Sequence, residues 1–283
     1  MVIRMKKSII FSMLLGAALL VACDPIEDRD TMTGAITADQ LKISATPVIK
    51  DGVKSNYIEL NSEGNPCLSS WDYGFGTFTD TKGTVKVMMV GDNDIVYSGM
   101  NPDGTIITKK ITVHVDKLYD VAPEYALFCG DKGTKTWVWD DTMGTPWGNG
   151  SYLGNTSPGW WKCSVDDIET QAVGKGYLGD GKNGSMLFSL KGMKLTKSDG
   201  TTGSFSFDMS KKTTVADGSV WGIGKLYTKS VNVLLGIQPN QSNAIINEYD
   251  ILKLDATHLY LACPEKAADG SGSGCWFWCF KAK

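Results

Sequence analysis

The chain has 283 residues, 28 of them basic and 31 acidic, for a net charge of −3. No Lys/Arg cluster interrupts that mildly acidic balance, which excludes nucleic acid as a partner, since such binding rests on neutralising phosphates. With 32 glycines and 9 tryptophans, the composition predicts an all-β protein of short strands and tight turns, long enough for two domains.

Residues 1–22 read as an export signal. Arg4, Lys6 and Lys7 precede an apolar run of 15 residues, Ser8–Ala22. A retained membrane-spanning helix needs about 20 such residues, so the run is short for an anchor. It ends in Leu20-Val21-Ala22-Cys23, which resembles the lipobox of bacterial lipoproteins. That resemblance implies acylation of Cys23, with palmitate-type chains, as the first residue of the mature protein. Asp24, Glu27, Asp28 and Asp30 follow, giving an acidic linker over residues 23–35. This stretch is similar to the signal that sends Bacteroidetes lipoproteins to the outer face of the outer membrane. Removing residues 1–22 leaves 25 basic against 31 acidic residues, a balance of −6.

The block 36–118 reads as strands near 41–48, 55–60, 84–90, 95–99 and 106–115. In the last, Ile111, Val113 and Val115 alternate with Thr112, His114 and Asp116, the period of a half-buried strand. Asn101-Pro102-Asp103-Gly104 is a turn, with Pro102 fixing φ at its second position. Trp71-Asp72-Tyr73-Gly74-Phe75-Gly76 resembles the W-D-F-G-D-G signature of PKD-type immunoglobulin-like domains, with Phe75 in place of the acidic residue. The resemblance implies a small β-sandwich used as a spacer or interaction module.

Residues 119–283 form the second block. Ser164–Val173 is the one predicted helix, with Ser164 as its cap and acidic residues in its first turn. Beyond Met186 the sequence predicts a succession of strands, among them Val231–Ile237, Glu248–Leu254, His258–Cys263 and Cys275–Phe280. Short connections favour an antiparallel meander, closed as a barrel or folded as a sandwich. The strand order resembles bacterial lipocalin-like domains, with a jelly-roll carbohydrate-binding module as the alternative.

In the last hairpin, pairing the residues that flank the loop sets Cys263 opposite Cys275, Leu261 opposite Phe277 and Leu259 opposite Cys279. Directly opposed side chains can approach closely enough for a disulfide, which makes Cys263–Cys275 the expected bridge. Trp276, Trp278 and Phe280 then share the other face, with Tyr260 beside them.

The segment 137–161 carries the candidate ligand-binding residues. Trp147, Tyr152, Trp160 and Trp161 lie among Gly-rich loops, where aromatic rings can stack on the apolar faces of sugars. Asn149, Asn155, Asp140 and Asp141 lie among them as partners for hydroxyls. Catalysis has little support. Adjacent Asp140/Asp141 and Asp166/Asp167 point apart, unlike the spaced carboxylates of a glycosidase, and neither His114 nor His258 has a nucleophile motif. No zinc spacing or calcium loop occurs, and no cofactor is expected.

Anchor, spacer and aromatic β-domain together resemble the surface glycan-binding lipoproteins of Bacteroidetes. The resemblance implies a non-catalytic protein holding polysaccharide or oligosaccharide beside an outer-membrane glycan importer. Two other expectations stand beside it: a structural or adhesive component binding protein through a flat aromatic patch, and a carrier of a small apolar ligand in an open barrel.

Overall fold

A computed structural model describes residues 34–265 and 273–283. Cys23, the acidic residues behind it and the export-type segment lie outside the described residues.

Seven strands build the first block: β1 (Ser44–Lys50), β2 (Val53–Asn61), β3 (Leu68–Asp72), β4 (Thr77–Phe78), β5 (Lys82–Lys86), β6 (Gly91–Met100) and β7 (Ile106–Val115). They form two sheets, ordered β1-β2-β5 and β4-β3-β6-β7. Period-two alternation sends Ile58 and Leu60 of one sheet and Ile95, Tyr97, Val113 and Val115 of the other into a shared core. Trp71 of the W-D-Y-G-F-G run is fully buried there, edge-on to Tyr97 with ring centroids 4.7 Å apart.

The second block is a closed barrel. Its staves are β8 (Thr134–Trp139), β11 (Ser185–Ser189), β12 (Lys194–Lys197), β13 (Thr202–Asp208), β16 (Gly224–Lys229), β19 (Glu248–Leu254), β20 (His258–Pro264) and β21 (Gly274–Ala282). Each pairs antiparallel with the next, and β21 closes onto β8. Because spatial order follows chain order, the barrel is an up-and-down meander and not a jelly roll. Around it lie β9 (Trp147–Ser151), β10 (Lys162–Cys163), the hairpin of β14 (Thr213–Thr214) with β15 (Val220–Gly222), and the pair β17 (Ile237–Gln238) with β18 (Ala244–Ile245).

Strands β8 and β9 dock on the same edge of β21, Trp139 opposite Phe280 and Trp147 opposite Trp278. They are one stave interrupted by the excursion 140–146. By register, one end of the barrel gathers the connections 152–184, 198–201 and 230–247, and this end is the mouth.

Helix α1 (Glu124–Cys129) seals the opposite end, its buried Phe128 stacked on Phe188 at 5.7 Å and on Phe207 at 5.1 Å. Six residues are too few to display a helical period, so the sequence does not announce it. Helix α2 (Val165–Gly174) begins as expected, the Ser164 hydroxyl accepting the Asp167 N–H. The sandwich meets the barrel at its sealed end, where Phe75, Met88 and Met89 pack against the barrel core and the Gly192 N–H donates to the Gly74 carbonyl at 3.1 Å.

Two expectations need correction. Residues 231–237 do not form a strand. Val231–Gln238 is buried throughout, Leu235 turns through a left-handed φ of 45°, and only Ile237–Gln238 pairs with another strand. The segment plugs the mouth: the Trp278 indole donates to the Leu235 carbonyl, and the Leu235 N–H to Asp180 Oδ2, both at 2.8 Å. A continuous apolar run signals burial on every side, which a plug satisfies as well as a central strand.

The last hairpin is also one residue out of the expected register. Cys263 faces Trp276, Leu261 faces Trp278, and Pro264 faces Cys275. A one-residue slip moves side chains to the other face. Trp276, Trp278 and Phe280 point inward with Leu259 and Leu261, whereas Cys275 and Phe277 point outward. Tyr260 lies opposite Cys279, away from the indoles. Cys263 and Cys275 thus sit on opposite faces, and the expected disulfide is absent.

The described cysteines 67, 129, 163, 263, 275 and 279 are all free thiols. Burial pushes the Cys129 thiol up to about 12 and those of Cys163 and Cys263 up to about 11. In a chain beginning at Asp24, all six thiols should react with an aromatic disulfide reagent in denaturant and only slowly in the native protein. Fewer than six in non-reducing denaturant would reveal a bridge.

Candidate functional site

Trp160 and Trp161 stand out at the mouth. They are 57% and 41% exposed, in a barrel whose other indoles are buried. The chain leaves β9 at Ser151, loops out, and returns to pair β10 with β9. Asn149 holds the returning strand: its carbonyl accepts the N–H groups of Gly159 and Trp160, its side-chain Oδ1 accepts the N–H of Trp161, and its own N–H donates to the Trp161 carbonyl, at 2.9–3.0 Å. Gly148 permits this approach, because a Cβ there would collide with the Trp161 carbonyl. Behind the pair, Trp161 packs edge-on to Trp147 at 5.5 Å and against Trp276 at 5.9 Å, and Trp147 and Trp276 pack on each other at 5.3 Å. Wet Trp161 therefore rests on two dry indoles, with wet Trp160 next to it in the chain.

The remaining sequence candidates divide by location. Trp147 is fully buried, so it supports the pair and is not itself a contact surface; its position opposite Trp278 in the closing strand dictates this. Tyr152 is half-buried and stacks edge-on to Trp221 at 5.2 Å, on the outer wall beside Phe277. Asn155 ties that wall together, its Oδ1 accepting from the Ser151 N–H and its carbonyl from the Trp221 indole, both at 2.7 Å.

Asp140 is buried in the strand interruption, where its carboxylate accepts from Thr142 and from the Tyr260 hydroxyl, the latter at 2.6 Å. Burial alone would raise its pKa; these hydrogen bonds outweigh that and hold it below the ordinary carboxylate range. Asp141 points outward and pairs with Lys281. Neither carboxylate joins the indoles. Trp160, Trp161, Asn149 and Trp147 form one unit; Tyr152 and Asn155 belong to a second; Asp140 and Asp141 to a third.

A cleft of about 600 Å³ also opens at the mouth, lined by Tyr177, Leu178, Lys197, Asp199, Asn232 and Ile245 among others. Sequence reasoning missed it, since its walls come from four separated segments and one of them reads as a strand. Beneath it lies a buried ion pair, Lys197 Nζ to Asp180 Oδ1 at 2.6 Å, both side chains almost wholly dry. Burial pushes the Asp180 carboxyl up, against the pull of Lys197 and of the Leu235 N–H. Among the described residues, no three His, Cys, Asp or Glu side chains gather as a metal site.

No protein-family model matches the chain, and a search of curated proteins finds no significant similarity.

The ion pair generates a stability prediction. Lys197→Met should cost about 3–5 kcal/mol in chemical denaturation, because an unpaired carboxylate is left in the barrel, and Asp180→Asn added to it should recover part of the loss. With the lysine gone, folded Asp180 holds its proton to higher pH than the unfolded chain does. The deficit should therefore be largest at neutral pH and shrink as pH falls through the raised pKa. An equal deficit at pH 5 and pH 8 would contradict the assignment.

Proposed function

We propose that this chain is a non-catalytic, lipid-anchored cell-surface protein that holds extracellular glycan against the exposed Trp160–Trp161 pair. The observation that carries this reading is the exposure of two adjacent indoles whose backbone is held by Asn149, with Trp161 backed by Trp147 and Trp276. Exposed indole surface is costly in water, and a rigid ring loses little entropy on binding. The axial C–H faces of sugars suit such a surface, whose electron-rich face favours the positive edges of C–H bonds.

Placement adds support. The pair lies at the mouth, while the sandwich lies toward the sealed end. In this reading Cys23 anchors the protein at the outer membrane, the PKD-like sandwich is a spacer, and the barrel offers glycan outward to an importer. The filled barrel interior, occupied by Leu234, Leu235, Trp139 and Trp278, favours surface binding over carriage of an apolar ligand inside.

Affinity electrophoresis and calorimetry of the mature protein against a polysaccharide panel test the binding half. Trp160→Ala with Trp161→Ala should weaken the best ligand about tenfold or more, with the thermal midpoint little changed. Asn149→Ala, which frees the rings without removing them, should weaken it less. Failure of the whole panel to bind, or unchanged affinity in the folded double variant, would reject the glycan reading. Mass spectrometry of the membrane-extracted protein tests the anchor separately, by the acyl mass on Cys23.

A further inference from the structure

The sandwich carries an apolar row that no function described so far uses. Leu68 of β3 lies directly opposite Met100 of β6, and Met100 directly opposite Ile106 of β7. All three project from the outer face of the four-stranded sheet, 68%, 42% and 67% exposed. Single exposed apolar side chains are ordinary, but three in one cross-strand row form a contiguous patch, since directly opposed Cβ atoms sit about 5 Å apart.

Its position gives it meaning. The row marks the end of the sandwich farthest from the barrel: β6 runs from Gly91, next to the barrel-facing Met88 and Met89, to Met100, and β7 returns from Ile106 to Val115. Ten residues of strand span about 30 Å. The described chain also enters the fold here. Asn101, next to Met100, grips Ile36 through two hydrogen bonds, Ile36 N–H to its Oδ1 at 3.2 Å and its Nδ2 to the Ile36 carbonyl at 2.9 Å. Cys23 is 11 residues before Gly34 in the sequence, a distance the chain can cover only up to about 40 Å.

From these placements we infer that the Leu68–Met100–Ile106 row seats the sandwich on the lipid bilayer, as a second membrane contact beside the acyl group on Cys23. The inference rests on the anchor half of the proposed function and is independent of its glycan half. An acyl anchor alone leaves the body free to tilt about its tether, and a second apolar contact adds attachment in proportion to the area it buries. The seat also fixes orientation. With the row at the headgroups, the sandwich stands between bilayer and barrel, and the mouth with Trp160 and Trp161 is directed away from the membrane.

The test supplies the anchor chemically, so that it does not depend on whether the cell acylates Cys23. The full mature chain from Cys23, carrying one myristoyl group on that thiol, is partitioned onto phosphatidylcholine vesicles by sedimentation. Leu68→Asn, Met100→Ser and Ile106→Thr together should lower the partition coefficient about tenfold, the loss expected from roughly 55 Å² of apolar contact. Thr108→Leu, which extends the row on the same face of β7, should raise it, and Trp160→Ala with Trp161→Ala should leave it unchanged. Partition within twofold of the parent for both the triple variant and Thr108→Leu would overturn the inference. So would dimerisation of the unlipidated chain that the triple substitution abolishes, which would assign the row to a second copy. If Cys23 proves unacylated in cells while the vesicle result holds, the anchor reading fails and the apolar seat stands.

Discussion

Strand β21 is where the barrel becomes a barrel. Along one edge it pairs with β20; along the other it pairs first with β9 and then with β8. Its alternation sends Trp276, Trp278 and Phe280 into the interior and Cys275, Phe277 and Cys279 outward, all of them buried. A strand dry on both faces needs cover on both. Inside, that cover is the plug, bound to Trp278 through the Leu235 carbonyl. Outside, the cover includes Tyr152 and Trp221, the latter on β15 and fastened by its indole to Asn155. The mouth, the outer wall and the indole pair are therefore consequences of one closing strand.

The interruption between β8 and β9 follows from the same geometry. Two short strands share an edge that one long strand could have filled, and the freed residues leave the wall at Cys279, whose N–H donates to the Pro146 carbonyl and whose carbonyl accepts the Asp140 N–H. Buried Asp140 turns the chain there. Beyond the interruption β9 can lean outward with β10, carrying Trp160 and Trp161 to the surface while Trp147 remains inside.

Much of this architecture was legible in the residues. Alternation in Ile111–Val115, the Ser164 cap and the meander of short strands all correspond to elements of the structure. Period-two patterns report one buried face, and local hydrogen bonding reports helix starts, so both survive without tertiary information. What failed were features that neighbours decide. Register in the last hairpin depends on which residues the barrel interior accepts, and CWFWCF, apolar at every position, carries no mark of its inner face. The run VNVLLGI reads as a strand for the same reason. Of the candidate site, the aromatic segment was visible as composition. Which indoles stay wet depends on the pairing of β9 with β21, and the cleft by Tyr177 and Asn232 unites segments that no spacing connects.

The dry thiols set an order of events. Cys275 and Cys279 lie on the same strand and the same outward face, with Cys263 close by on the opposite face of β20. In the presence of an oxidant, an unfinished hairpin can cross-link these sulfurs in a register that the closed barrel forbids. Burial raises their pKa and so starves the exchange reaction of thiolate, but that protection arrives only with packing. Wherever an oxidant is present, the zipping of the final hairpin must therefore outrun it for the six thiols to stay free.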